Sequence, residues 1–485
     1  VSPTDPTAPM TAPVTAGAPG DARSAPAEDP RLSFTQSIVL TIKQPARLRN
    51  LELLLLALAT VINAGAIALV QLGALGEIDA TVLGFGAGLA GLALVMHIAL
   101  RFVARDADPF ILPIITTLNG LGIAMIYRID IARGYEGWDG LGLRQMMWMA
   151  IAMVLALVVL LVVRNHRALA RYRYVAMAVG IALLLLPFVP GLGTVINGAR
   201  LWIAVAGFTF QPGEIAKIAL AIFFAGYLVT ARDSLSMVGR RVLGVQLPRA
   251  RDLGPILIIW VASLGVLIFQ RDLGTSLLYF GLFVVMIYIA TGRLSWVLLG
   301  LGLFLGGAAI ASRTLTYVEG RFAAWLDSFN PEIYEAIGGS YQLVQGMFGM
   351  ANGGLIGTGL GQGRPDLTPL AESDYIITAL GEELGLVGLF AILGLYLLLV
   401  ARGFRIGFNG PDDFGRLLAV GLSFVIVLQV FIVIGGVTRV IPLTGLTTPF
   451  LAAGGSSLVA NWIIAALLLR LSDTVHHQPR LVVDD

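Results

Sequence analysis

About twelve long apolar runs recur along the sequence, each closed off by charged residues or by clusters of glycine and proline. They cover residues 51–72, 81–100, 109–127, 145–163, 174–189, 214–230, 253–269, 273–290, 296–312, 374–401, 417–438 and 447–471. Roughly 20 mostly apolar residues carry a helix across a bilayer core, where the backbone has to hydrogen-bond to itself. The pattern therefore predicts an all-α polytopic membrane protein of about twelve transmembrane helices.

The intervals divide the chain further. Residues 1–48, rich in Pro, Ala and Thr, read as a disordered cytoplasmic tail, and residues 472–485 as a cytoplasmic C-terminal tail. Residues 313–373 are too long for a mere connection in a compact bundle. Trp325, Phe329, Tyr334, Tyr341 and Phe348 give that stretch apolar anchors, and residues 341–351 predict a short amphipathic helix at the membrane surface.

Composition agrees with the runs, at 57% hydrophobic and 13% charged, and excludes a soluble domain. Arginine sets the orientation, because lysine occurs only at Lys43 and Lys217. Segments after even-numbered runs carry Arg101, Arg164, Arg171, Arg240 and Arg402 among others, so both termini are expected in the cytoplasm and residues 313–373 outside. The net charge of +2 argues against nucleic acid as a partner. With no cysteine, disulfides and thiol catalysis are excluded, and the four histidines show no metal-ligand spacing.

Polar residues inside this hydrocarbon are the candidates for chemistry. Glu214 and Lys217 sit three residues apart on one helical face; they read either as a functional pair at membrane depth or as a helix-start pair at the interface. Arg271 and Asp272 interrupt two runs, either as helix caps or as part of an anion site, to which Arg200 and Arg364 add external cations. Asp374 starts a run, and Glu382 and Glu383 lie about two turns inside it, where at least one is expected to meet an arginine or a polar cavity. GTGLGQG at 357–363 follows no strand and reads as loop turns. The segment WLDSFNPEIYEAIGGSYQ holds Asp327, Glu332 and Glu335 without a basic residue.

Six motifs in order, NGARLWI, FQPGEIAK, QRDLGTSL, YQLVQ, ESDYIITALGEELGLVG and PLTGLTTPFLAAGGSS, resemble the signature segments of the SEDS family (shape, elongation, division and sporulation), in its RodA-like branch. The resemblance covers residues 109–471 as a ten-helix core, leaving residues 49–108 as an additional N-terminal pair. It implies a peptidoglycan glycosyltransferase of the bacterial cytoplasmic membrane that polymerises lipid II during cell-wall elongation or division, working with a class B penicillin-binding protein. A loop carboxylate would act as general base. The family's acidic position aligns with Glu335 in EAIGGSYQ, although the family has Asp there followed by Pro, not Glu followed by Ala336; Asp327 and Glu332 remain alternatives. Substrate contacts are expected from Arg200, Trp202, Glu214, Lys217, Arg271, Asp272, Tyr341, Gln342, Gln345, Arg364, Asp374 and Glu382. No cofactor is required by the pattern, with a divalent cation (Mg or Mn) as a candidate addition. A lipid II flippase and a scaffold for a transpeptidase are the competing readings.

Overall fold

The computed structural model describes residues 39–40, 45–196, 198–205, 207–235, 238–242, 245–248, 254–476 and 481–482. The chain forms two compact units, residues 1–43 with 479–485, and residues 44–478. In the first, Val39–Leu40 pairs antiparallel with Leu481–Val482. Most of the expected tails lies outside the described residues, as does Asn197 of the NGARLWI motif, and the side chains of Arg240, Arg241, Arg249 and Arg251.

The second unit is helical. Its helices are α1 (Pro45–Leu75), α2 (Ala80–Val103), α3 (Ile111–Arg133), α4 (Leu141–Val162), α5 (Arg167–Arg171), α6 (Arg173–Leu185), α7 (Pro212–Leu235), α8 (Gly254–Gln270), α9 (Leu273–Thr291), α10 (Leu294–Thr314), α11 (Thr316–Leu326), α12 (Pro331–Glu335), α13 (Tyr341–Gly353), α14 (Ile376–Phe408), α15 (Asp413–Val437) and α16 (Gly455–His476). Helix thus takes up residues 45–48 and 472–476, which the sequence reading assigned to tails.

Ten of these helices, among the described residues, are long and apolar enough to span a membrane. Two of the twelve expected spans are shorter. Residues Arg173–Phe188 tighten into a 3₁₀ turn at Pro187, and Leu257–Gln270 falls below the roughly 20 residues of a straight crossing. The last expected span begins late, at Gly455, because Pro442 and Pro449 cannot continue a helix and Arg439 and Phe450 adopt positive φ. Between α6 and α7 lies a small antiparallel sheet of β1 (Gly193–Ile196), β2 (Ala199–Val205) and β3 (Phe208–Phe210), so the fold is not purely α.

Helices α3, α15 and α16 are buried along most of their length and form the middle of the bundle, whereas α1, α2 and α10 turn broad apolar faces outward, where lipid replaces water. The polar groups of α3 are satisfied within the protein. Asn119 Nδ2 donates to the Ile115 carbonyl, and the Asp130 carboxylate accepts from the Leu141 and Gly142 amides at 3.0 and 2.7 Å, an anion at the N-terminus of α4.

Helix α14 is broken near the end that carries residues 313–375. Gly385 has φ 67° and ψ −174°, and the chain at 354–359 fills the break: Thr358 N donates to Glu382 O, Gly359 N to Glu383 O, and Leu386 N to Gly354 O. Non-helical backbone at this depth persists only where protein partners satisfy it. A Cβ on Gly385 would lie 2.3 Å from Gly357 N, so only glycine fits.

The N-terminal pair reaches the same loop. A Cβ on Gly73 of α1 would lie 2.3 Å from the Leu360 carbonyl oxygen, and one on Gly361 would lie 2.6 Å from Val70 O. Both obstacles are backbone. Gly73→Ala should therefore destabilise the purified protein by about 1–3 kcal/mol through overpacking and speed amide exchange at 354–363. An unchanged melting temperature in detergent would show that α1 does not brace the loop.

Candidate active site

Residues 315–343 fold as α11, a turn, α12 and the start of α13, pinned by short bonds. Ser328 Oγ donates to Ala324 O and Ser340 Oγ to Ser328 O, both at 2.6 Å, while Asn330 caps α12 by accepting from Glu332 N. Arg439, from the end of α15, donates to the Trp325 and Leu326 carbonyls at 2.7 Å, and Trp325 Nε1 donates back to Arg439 O. The segment is thereby held on the bundle, as its apolar anchors suggested.

The three candidate carboxylates part company here. All are exposed at the residue level. Asp327 accepts from Asn330 Nδ2 at 3.1 Å in a local turn, and Glu332 sits in the first turn of α12. Of the three, Glu335 lines a cavity of about 550 Å³ together with Arg321, Tyr334, Tyr341, Gln342 and Leu443. Tyr334 and Tyr341 meet edge to face at 5.2 Å, Gln345 Nε2 donates to Tyr334 Oη at 3.0 Å, and Gln342 Nε2 donates to Pro369 O at 2.7 Å. The three polar residues of YQLVQ thus shape the wall that presents Glu335.

Arg321 escaped the sequence reading. It makes no hydrogen bond or ion pair among the described residues, yet its charge acts on Asp374, Tyr317 and Tyr375. Burial pushes the Asp374 carboxyl up from 3.8 to about 7, with Arg321 and a bond from Ser373 offsetting part of the effect and Asp272 adding to it. The Tyr317 and Tyr375 hydroxyls beside Arg321 are buried without a protein partner. A free guanidinium with two orphaned hydroxyls is suited to an anion.

The Asp374 shift has a sign that can be checked. A carboxyl raised on folding binds its proton more tightly in the folded state, so its contribution is present in full below pH 3.8 and is lost as pH rises through about 7. The melting temperature of the wild type should therefore fall relative to Asp374→Asn between about pH 5 and pH 8. Parallel profiles for the two proteins would refute it.

Deeper in the bundle, Lys217 Nζ contacts Glu214 Oε2 at 2.5 Å and Gln429 Oε1 at 2.9 Å, and Gln429 Nε2 donates to Thr447 O. Lys217 is 1% exposed and Glu214 6%, so the pair is buried within the protein, with Glu214 in the first turn of α7. Asp272 caps α9, accepting from Thr275 N at 2.8 Å, and the Glu214 charge reaches it. Arg271 is exposed at φ 57°. On β2, Arg200 lies 6.0 Å from the Phe188 ring with its Nε unpartnered, and Trp202 pairs in register with Thr194.

Two expected contacts serve the loop instead. Arg364 pairs with Asp366 at 3.3 Å, and Glu382 accepts from Arg364 N and Asn352 Nδ2. Glu383 meets an arginine, as anticipated for that run: Arg128 Nε lies at 2.9 Å, and Gly361 N donates to the other oxygen at 2.8 Å. These carboxylates fold GTGLGQG onto α14 without lining the Glu335 cavity.

A second cavity, about 650 Å³ and almost entirely apolar, runs between α8, α9, α10, α11 and α15, with Trp260, Phe280, Phe304, Phe322 and Phe431 on its walls. It shares α11 and residues 440–444 with the Glu335 cavity, Val440 to Pro442 and Thr444 facing one and Leu443 the other. An apolar cavity and a polar one are thus built on the same two segments. For a divalent cation, no group of three His, Asp or Glu side chains converges among the described residues, so the side chains present do not form a protein cage.

The sequence profile of the FtsW/RodA/SpoVE family, described as cell cycle protein, matches residues 109–477. A relative named peptidoglycan glycosyltransferase RodA from Mycobacterium leprae is 43% identical, covering 91% of this chain and 94% of its own; its Mycobacterium tuberculosis counterpart is 44% identical, covering 90% and 92%. Among solved structures, the Thermus thermophilus rod shape determining protein RodA superimposes with a TM-score of 0.51 at 25% identity, covering 75% of this chain and 97% of its own. A chain described under structural coordination of polymerization and crosslinking by a peptidoglycan synthase complex gives 0.53, also at 25% identity, over 82% and 98%. With a match that takes in the whole bundle from α3 to the end of α16, the chain belongs to the FtsW/RodA/SpoVE family.

Proposed function

We propose that this chain is a peptidoglycan glycosyltransferase that polymerises lipid II at the outer face of the bacterial cytoplasmic membrane, with both termini in the cytoplasm. The observation that carries the reading is a polar cavity lined by Glu335 and Arg321, with an apolar cavity built on the same α11 and the same 440–444 segment. A lipid-linked saccharide has that division, a polyprenyl tail joined through pyrophosphate to sugar.

In the reaction, a sugar hydroxyl attacks the anomeric carbon of a second lipid-linked saccharide. A glycosidic C–O bond forms, the C–O bond to pyrophosphate breaks, the proton passes to Glu335, and the electron pair leaves with the pyrophosphate as an anion. Arg321 and Arg271 supply charge for that leaving group, with Arg200 as a further donor on β2. The Asp374 carboxyl feels the Arg321 charge, and Asp272 caps α9 next to Arg271 in the chain. A divalent cation, if bound, would come with the pyrophosphate, since no protein cage for one converges among the described residues. A class B penicillin-binding protein is the proposed partner, crosslinking the product.

Orientation rests on arginine. Arg101, Arg105, Arg164, Arg167, Arg171, Arg402, Arg405 and Arg416 occupy the bundle end opposite the α11–α13 loop. The broken α14 would also suit a flippase, but its gap is filled by the chain's own backbone at 354–359. Purified protein incubated with labelled lipid II, alone and with a class B penicillin-binding protein, should yield glycan strands separable by size. Transfer of label between leaflets of a vesicle, with no strand formed under either condition, would overturn the polymerase reading in favour of transport.

A further inference from the structure

A third cavity, about 710 Å³, opens at the same end of the bundle, with Ser373, the neighbour of Asp374, on its wall. Its walls come from the turn before α4 (Trp138), from α4 (Arg144, Trp148), from β3 (Phe208, Thr209), and from Glu372 and Ser373 just ahead of α14. Glu372 and Ser373 belong to the ESDYIITALGEELGLVG motif and Ala453, Gly454 and Gly455 to PLTGLTTPFLAAGGSS, but no residue assigned to the reaction lines it.

Its surface is built for a pyranose. Trp138 is 62% exposed, and Arg144 Nε donates to its backbone carbonyl at 2.7 Å. Trp148 is fixed edge to face against Phe208 at 5.9 Å and lies so close to Gly455 that a Cβ there would be 2.3 Å from its Cδ2. Glu372 is oriented by Arg133 at 2.9 Å and by the bond from Ala453 N to its carbonyl. The apolar C–H face of a sugar packs on the negative face of an indole, while its ring hydroxyls need both donors and acceptors. Arg144, Glu372, Ser373 and Thr209 offer these around the tryptophans. A tryptophan serving only as an interfacial anchor would face lipid head groups. Trp138 instead shares a cavity with a carboxylate and two hydroxyls.

We propose that this cavity is the subsite for the growing glycan strand, the saccharide that stays bound between additions. The inference rests on the polymerase reading above. Two lipid-linked saccharides must meet, and each fresh one arrives by lateral diffusion in the membrane, which the apolar cavity sharing α11 with the Glu335 cavity serves. The strand then needs its own place near the same centre: Ser373 lines the Trp138 cavity, and its neighbour Asp374 feels the charge of Arg321, which lines the Glu335 cavity.

The test compares wild type with Trp138→Ala, Arg144→Gln and Trp138→Phe as full-length purified proteins supplied with labelled lipid II. Losing a stacking platform should release strands sooner and make them about three- to tenfold shorter. Trp138→Phe should keep most of the length. Strands of unchanged length overturn the proposal, and so does less product at unchanged length, which marks a structural fault. Wild type that forms no strand at all brings down the polymerase reading, and the subsite with it; normal wild-type strands with insensitive variants bring down the subsite alone.

Discussion

Glu335→Gln should abolish most lipid II polymerisation, by about 10²–10⁴-fold in initial rate, the range lost when a positioned general base is removed. Asp327→Asn and Glu332→Gln should stay within about threefold of wild type, because neither side chain faces the cavity. The contrast follows from geometry. Glu335 ends α12, and the tight return at Gly338 and Gly339 turns the chain back so that Glu335, Tyr341 and Gln342 line one cavity with Arg321. Gln keeps the size and hydrogen-bonding reach of Glu but cannot accept a proton at neutral pH. Since Glu335 is exposed, the variant should melt with wild type, which separates lost chemistry from lost fold. Glu335→Asp should recover part of the rate, the shorter arm retaining the charge but losing about one methylene of reach. If Glu335→Gln polymerises normally while Asp327→Asn does not, the base lies at the α11 end of the loop and the mechanism must be redrawn around that residue.

Much of this was legible in the sequence, for identifiable reasons. The long apolar runs announced their helices because lipid imposes one rule on every span, backbone bonds satisfied within the segment. The amphipathic run from Tyr341 formed α13 as expected, and the adjacent Glu382 and Glu383 did need partners at depth. Where a run was near the length limit, local breakers decided, as Pro187 and Pro449 did. The sheet at 193–210 was missed because its strands are short and carry the same residues as a loop.

Within the site, sequence order indicated which stretches matter but not which side chains converge. Arg321 sits in TYVEGRFAAWL as an ordinary helical arginine; only the fold brings it to Glu335 and Asp374 and leaves it unpaired. Conversely, Arg364, expected to contact substrate, pairs with Asp366 two residues on, and Glu382, expected likewise, accepts from the loop backbone. Charge spacing along one helix was informative for Glu214 and Lys217 because the partners are local, whereas Gln429, their third member, lies 212 residues away and had no signal of its own.

That third member makes the interior cluster the most costly to disturb. Lys217→Met should destabilise the protein by about 3–5 kcal/mol, since it leaves the Glu214 carboxylate buried with no cation beside it. Glu214→Gln leaves the ammonium bonded to Gln429 and should cost less. The double variant Glu214→Gln with Lys217→Met removes both charges and should be more stable than Lys217→Met alone, because desolvating an unpaired ion is the dominant penalty. Melting temperatures of the four proteins in one detergent give the comparison directly. Were the double variant to lose as much as the sum of the two singles, the residues would be acting independently, and the 2.5 Å contact between them would not be what keeps Lys217 in the bundle.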